Sequence, residues 1–157
     1  MVKDIGFIGL GTVGRHIAAN LLKAHYKLTV YDTKSDAVSD LVKQGAKSAA
    51  SPFEVAQNKD MLIVVLPEKE EVSAALNGKE GFMEGLKPGA ILVDMGTHSL
   101  EATLDLASRA SAKGVQFLEA PIWGTKEHAI SGLLTVLTGG DHTLLSRCRE
   151  VFSHFAL

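Results

Sequence analysis

Three glycines set between a short apolar run and a helical pattern constrain this chain more than any other feature. The run Ile5-Gly6-Phe7-Ile8 reads as a buried strand, while Val13, Ile17 and Leu21, with Ala18 and Leu22 beside them, recur at helical spacing. Between the two lies Gly9-Leu10-Gly11-Thr12-Val13-Gly14, a G-x-G-x-x-G turn. In that setting each glycine has a separate role. Gly9 makes the tight turn, Gly11 lets the backbone approach a pyrophosphate, and Gly14 lets the helix pack closely on the strand. The free amides and the positive dipole end of the helix favour a phosphate without any basic side chain. The plainer alternative is a turn that needs its glycines for packing alone.

The rest of the chain repeats strand and helix in alternation. Residues 28–31, 61–65, 90–93 and 115–118 are short and largely apolar, as strands covered on both faces tend to be. Ser51-Pro52-Phe53-Glu54 has the spacing of a capping box with proline at the first helical position. Leu100, Thr103, Leu104, Ala107 and Ala110 trace a further helical face, for which Thr97 or Ser99 is the expected cap. Beyond Pro121 the pattern changes to a glycine-containing turn region, 123–132, followed by a strand at 133–137. A last helix carries the apolar stripe Leu144, Leu145, Cys148, Val151, Phe152 and Phe155. Cys148 on that stripe is expected to be an inert core thiol. The alternation predicts an α/β chain, a Rossmann-like doubly wound, mostly parallel sheet with helices on both faces, with residues 1–157 as one dinucleotide-binding domain.

Asp32 follows the second strand, 18 residues after Gly14, where a carboxylate can accept both ribose hydroxyls of an adenosine. That placement favours NAD over NADP, because a 2′-phosphate beside Asp32 would meet a like charge at a cost of about 4 kcal/mol at ~4 Å and an effective dielectric near 20. Lys34, two residues on, pulls the other way. Asp32 could also cap the next helix, a duty open to Ser35 as well.

Composition excludes several classes. A net charge of −2 leaves no basic footprint for nucleic acid. The longest uninterrupted apolar stretch, 61–66, is far short of the ~20 residues a bilayer requires. One cysteine cannot form an internal bridge, and the N-terminus enters a strand without a leader-like apolar run, which together suggest a cytoplasmic protein. Six histidines lie without metal-ligand spacing and are read as solvated, His98 standing apart because it follows Thr97. Glu68-Lys69-Glu70-Glu71 suits the exposed, acidic first turn of a helix.

Taken in order, Gly6-Phe7-Ile8-Gly9-Leu10-Gly11, Ala19-Asn20-Leu21-Leu22, Val30-Tyr31-Asp32, Leu66-Pro67, Leu86-Lys87-Pro88-Gly89, Val93-Asp94-Met95, Phe117-Leu118-Glu119-Ala120-Pro121 and Gly139-Gly140-Asp141 resemble the β-hydroxyacid dehydrogenase family. That family includes 3-hydroxyisobutyrate dehydrogenases and glyoxylate/succinic semialdehyde reductases, and Gly124-Thr125-Lys126 looks most like the glyoxylate reductase branch. The resemblance implies an oxidoreductase that moves a hydride between a nicotinamide cofactor and a small β-hydroxyacid or aldehyde acid. It implies that residues Gly9, Leu10, Gly11, Thr12, Val13 and Gly14 meet the pyrophosphate, Asp32 the ribose, and Leu66, Pro67 and Thr97 the nicotinamide half. By the same resemblance Trp123, Gly124 and Thr125 fall on the substrate segment.

The chain departs from the family in three places. Gly96 stands where the family has a serine beside the cofactor. Trp123 stands where the family has a serine that donates to the substrate carboxylate, so the indole is expected to select a larger substrate, to plug the pocket, or simply to pack. The family's catalytic lysine lies on a C-terminal helical domain beyond Leu157, so no catalytic residue is assigned within this chain, and alone it is expected to bind cofactor and turn over slowly or not at all. Two readings follow: the cofactor domain of such an oxidoreductase, or a non-enzymatic dinucleotide-binding module whose pocket Trp123 has closed. The apolar stripe of the last helix suggests self-association through an exposed face.

Overall fold

The alternating strand residues sort into two apolar cores, one on each face of a single sheet. The computed structural model describes residues 2–67 and 69–157. Along the chain these form β1 (Asp4–Ile8), α1 (Gly14–Lys23), β2 (Lys27–Tyr31), α2 (Ser35–Lys43), β3 (Lys47–Ser48), α3 (Pro52–Ala56), β4 (Met61–Val64), α4 (Lys69–Leu76), α5 (Phe82–Gly85), β5 (Ile91–Asp94), α6 (Leu100–Ala112), β6 (Gln116–Glu119), β7 (Ile122–Trp123), α7 (Lys126–Ser131), β8 (Thr135–Val136) and α8 (His142–Phe152). Met61 and Ile63 of β4 join Ile17 and Leu21 of α1, Leu41 of α2 and Cys148 and Val151 of α8 in one core. Leu62 and Val64 point the other way, toward Val55 of α3, Phe82 of α5 and Leu106 and Ala110 of α6. This is the period-two alternation of a strand buried on both sides. Each fully buried Leu, Ile or Phe contributes roughly 1.5–3 kcal/mol of transfer free energy.

The sheet is parallel throughout and its order is β3-β2-β1-β4-β5-β6. The chain therefore builds outward from β1 in one direction, then returns to its other side with β4. Between β1 and β4 lies the switch point at which open α/β sheets bind ligands, outside the carboxyl ends of the strands. The expected Rossmann-like architecture is the observed one. The expected cap forms only in part: Ser51 Oγ accepts from the Glu54 amide at 3.2 Å, while Glu54 accepts the Ala50 amide at 2.7 Å, one residue before the Ser51 amide that a capping box would engage.

Several local expectations are corrected. The two-residue edge strand β3 is too short and too exposed to leave a periodic signal. Region 123–132 is not a turn alone: it holds β7 and α7, because Thr125 and His128 cap that short helix reciprocally. The strand at 133–137 shrinks to β8, which pairs antiparallel with β7 in a separate two-stranded sheet. On α6 the buried face is Thr103, Leu106 and Ala110, whereas Leu100 and Leu104 are 74% and 58% exposed. Ser99, not Thr97, caps it. Neither Asp32 nor Ser35 caps α2, whose N-cap position is Lys34. The stripe on α8 is spent within the chain's own core, since Leu144, Cys148, Val151 and Phe152 are all buried there, so it is not the exposed face on which self-association was expected. Glu70 and Glu71 lie exposed in the first turn of α4, and Glu68 lies outside the described residues. No helix among the described residues is long and apolar enough to cross a membrane.

Two measurements check this packing. Burial pushes the Cys148 thiol up to about 11, so the native chain should leave thiol reagents unreacted near neutral pH and yield its one thiol only in denaturant. Asp60 accepts the backbone amides of Lys3 and Asp4, which hold its carboxyl below the ordinary value. Its stabilisation is therefore present above the ordinary carboxylate range and lost as pH falls below it. Asp60→Ala should cost about 1 kcal/mol near neutral pH, and its melting temperature should fall less steeply on acidification than that of the parent chain.

Candidate functional site

At the carboxyl end of β1 the backbone runs against two neighbours at once. Gly9 has φ +96°, and a Cβ there would collide with the Val65 carbonyl; a Cβ on Gly14 would collide with the Gly9 carbonyl. Only glycine allows the turn, the end of β4 and the start of α1 to lie this close. Gly11 differs. A Cβ built on it meets nothing within 4 Å, so packing does not require glycine at that position. The three roles expected from the sequence thus separate into two packing positions and one open approach.

Side chains fix the turn from outside. Asp32 Oδ2 accepts from the Leu10 amide at 2.6 Å, and its Oδ1 accepts from the Lys34 amide at 2.7 Å. Arg15 Nε donates to the carbonyls of Leu10 and Gly11, each at 3.3 Å. The N-terminus of α1 receives no side-chain cap, in contrast to α3, α6, α7 and α8, which are capped by Ser51, Ser99, Thr125 and Asp141. Arg15 and His16 donate their amides to the Gly11 and Val13 carbonyls, which leaves the Gly14 amide and those of Thr12 and Val13 before it available to an anion.

The loops after three strands and one residue of β7 meet around a cavity of about 340 Å³. Gly11, Thr12, Val13 and Gly14 come from the turn after β1, Val65, Leu66 and Pro67 from the end of β4, Met95, Gly96 and Thr97 from the end of β5, and Ile122 from β7. Seven of the positions expected from the sequence are therefore brought together, while Gly9 and Leu10 are buried in the turn itself. Asp32 lies on a second, open shelf of about 730 Å³ with Tyr31, Thr33, Ser35 and the 48–50 segment after β3. The two recesses flank the glycine turn, an arrangement that suits a long ligand with a charged middle.

The substrate-segment residues do not join them. Trp123 is 72% exposed and lines neither recess; its neighbour Ile122 does. The indole thus does not close the cavity, because β7 alternates and turns Ile122 inward and Trp123 outward. Gly124 has φ +147°, and Thr125 is engaged as the cap of α7.

His16, expected in solvent, is half-buried, and His98, which stood apart in the sequence, is enclosed. His16 Nε2 is buried without a partner among the described residues, and burial, followed by Lys126, Arg15 and Lys23, lowers its basicity. The His98 side chain is only 6% exposed and places Nε2 3.3 Å from Asp94 Oδ1, which also accepts the Gly96 amide at 3.1 Å. Burial pushes the Asp94 carboxyl above the ordinary carboxylate range, against the opposing pull of His98 and the Gly96 amide. The sequence marked this cluster through Gly96 in place of serine and through His98, which follows Thr97, but not through the pairing of His98 with Asp94. Arg15 and Ile122 carried no signal at all.

A glycine turn at the switch point, an uncapped helix N-terminus behind it and an acidic residue at the end of β2 define a dinucleotide-binding α/β domain. The chain belongs to the family of the NAD binding domain of 6-phosphogluconate dehydrogenase, whose model matches residues 4–157, and with it to the β-hydroxyacid dehydrogenases. It is 37% identical over 148 residues to the 3-sulfolactaldehyde reductase of Escherichia coli K12, covering 94% of this chain and 49% of that protein. It is 34% identical over 151 residues to the NAD-dependent L-serine dehydrogenase of Pseudomonas aeruginosa, covering 96% and 51%. Among solved structures, the 3-hydroxyisobutyrate dehydrogenase of Mycobacterium tuberculosis with L-serine superposes with a TM-score of 0.91 at 28% identity, over 99% of this chain and 53% of that one. The chain spans about half the length of these relatives. Solved structures of this fold hold either NAD+ or NADP+.

Two glycine variants separate packing from binding. Gly14→Ala should destabilise the chain by about 1–3 kcal/mol because no backbone neighbour can yield easily. Gly11→Ala should leave the melting temperature nearly unchanged, within about 0.5 kcal/mol of stability, yet weaken nicotinamide dinucleotide binding measured by calorimetry.

Proposed function

We propose that this chain is the NAD(H)-binding half of an oxidoreductase that interconverts a small β-hydroxyacid and the corresponding aldehyde acid. The observation that carries the reading is the glycine turn flanked by the nicotinamide-side cavity and the Asp32 shelf. Bound there, the cofactor supplies hydride transfer. The chain's residues supply position and charge. The Thr12, Val13 and Gly14 amides and the open backbone at Gly11 receive the pyrophosphate. Asp32, oriented by its bonds to Leu10 and Lys34, presents its carboxylate to the adenosine ribose, and Leu66, Pro67, Thr97 and Ile122 exclude water around the reactive end.

NAD is preferred over NADP on the charge of Asp32, with Lys34 as the opposing group. The small-acid substrate class is supported by the relatives: the Escherichia coli protein acts on 3-sulfolactaldehyde, and the Pseudomonas aeruginosa protein on L-serine. A proton donor for the reacting oxygen is assigned to none of the residues of this chain, so the full reaction is proposed for the chain together with a helical C-terminal domain of the kind the family carries.

Titration of the chain with NADH and NADPH tests the cofactor side. NADH should bind at least about tenfold tighter, and Asp32→Asn, which removes the charge and keeps one of the two bonds to the backbone amides, should reduce that ratio toward one. Equal affinities in the parent chain would overturn the preference for NAD, and no binding of either would overturn the cofactor reading.

A further inference from the structure

The wall of the nicotinamide-side cavity is held from behind by a buried pair. Asp94 closes β5 with its side chain almost wholly enclosed, and Oδ1 takes the Gly96 amide and His98 Nε2 together. Oδ1 already accepts the Gly96 amide, and with the proton on Nε2 the imidazole donates to the same oxygen. Oδ2 is buried and finds no partner among the described residues. Among the described residues the imidazole is the one side chain that meets this carboxyl, and removing it would leave the buried group supported by a single amide.

The ring fits only because residue 96 lacks a side chain. A Cβ on Gly96 would strike His98 Nε2 and would lie 2.6 Å from the Leu66 carbonyl. Gly96 and Thr97 face the 340 Å³ cavity, and His98 lines a separate recess of about 260 Å³ between α4 and α6 with Leu76, Asn77 and Arg109. His98 thus stands behind the cavity wall and does not line it. Asp32 and its shelf lie at the other end of the glycine turn, with no residue in common with this cluster.

We propose that His98 is a positioning residue of the cofactor site: through Asp94 it sets the Gly96–Thr97 segment against the nicotinamide end, and it leaves the adenosine end untouched. This rests on the cofactor reading above, and ADP-ribose, which has the adenosine and pyrophosphate but no nicotinamide, separates the two. In the 157-residue chain, His98→Ala should bind NADH about tenfold more weakly, while ADP-ribose affinity stays within about twofold of the parent. His98→Asn, whose amide can donate to Asp94, should recover most of the NADH affinity. An equal loss for both ligands would mean a purely structural histidine, and no loss for either would mean that the pair sets nothing; each overturns the proposal. Failure of ADP-ribose to bind the parent chain overturns the cofactor reading itself. Should His98→Ala not fold, the parent chain still decides the matter: its His98 ring resonances should shift on adding NADH and stay in place with ADP-ribose, and identical responses to the two ligands overturn the proposal.

Discussion

The close approach of three backbones at Gly9, Gly14 and the end of β4 sets the geometry on which the rest of the site depends. Where a Cβ would meet a carbonyl oxygen, the only way to bring helix, turn and strand together is to remove the side chain. Once they are together, the amide end of α1 faces the edge where β4, β5 and β6 also end. The Asp32 carboxylate, accepting the Leu10 amide, ties the end of β2 to the same turn. A single packing constraint thereby gathers the loops of successive strands around one point.

Sheet order explains why those loops converge. With β1 between β2 and β4, the first half of the chain places its acidic residue on one side of the turn and the second half places Leu66, Pro67 and Thr97 on the other. The two recesses are the two sides of the topological switch point. Asn20 of α1 donates to the Ala129 carbonyl of α7 at 2.9 Å, so the short helix and the β7–β8 pair that follow the main sheet are held against the same end of α1. In that pair Ile122 faces the cavity and Trp123 stays outside.

The replacement of serine by glycine at position 96 shows how a local departure can carry a packing consequence. Read alone, it is the loss of a hydroxyl beside the cofactor. In the fold it is the gain of a space that an imidazole enters to meet a buried carboxylate. Nothing in the spacing of Asp94, Gly96 and His98 announces this, because the turn that folds the ring back over Asp94 has no periodicity.

Much of the architecture was legible in the residues themselves. The apolar runs, the glycine turn, the Ser51–Glu54 cap and the inert setting of Cys148 follow from local pattern and elementary sterics, and these decided the fold class and the place of the glycine turn in it. What only the tertiary structure decided is which faces meet. Leu100 and Leu104 lie at helical spacing yet remain in solvent while Leu106 is buried, the α8 stripe is covered by the chain's own core, and Trp123 turns away from the cavity that Ile122 lines. The reason is that periodicity defines an amphipathic face without naming its partner, and the partner is set by contacts between elements far apart in the chain.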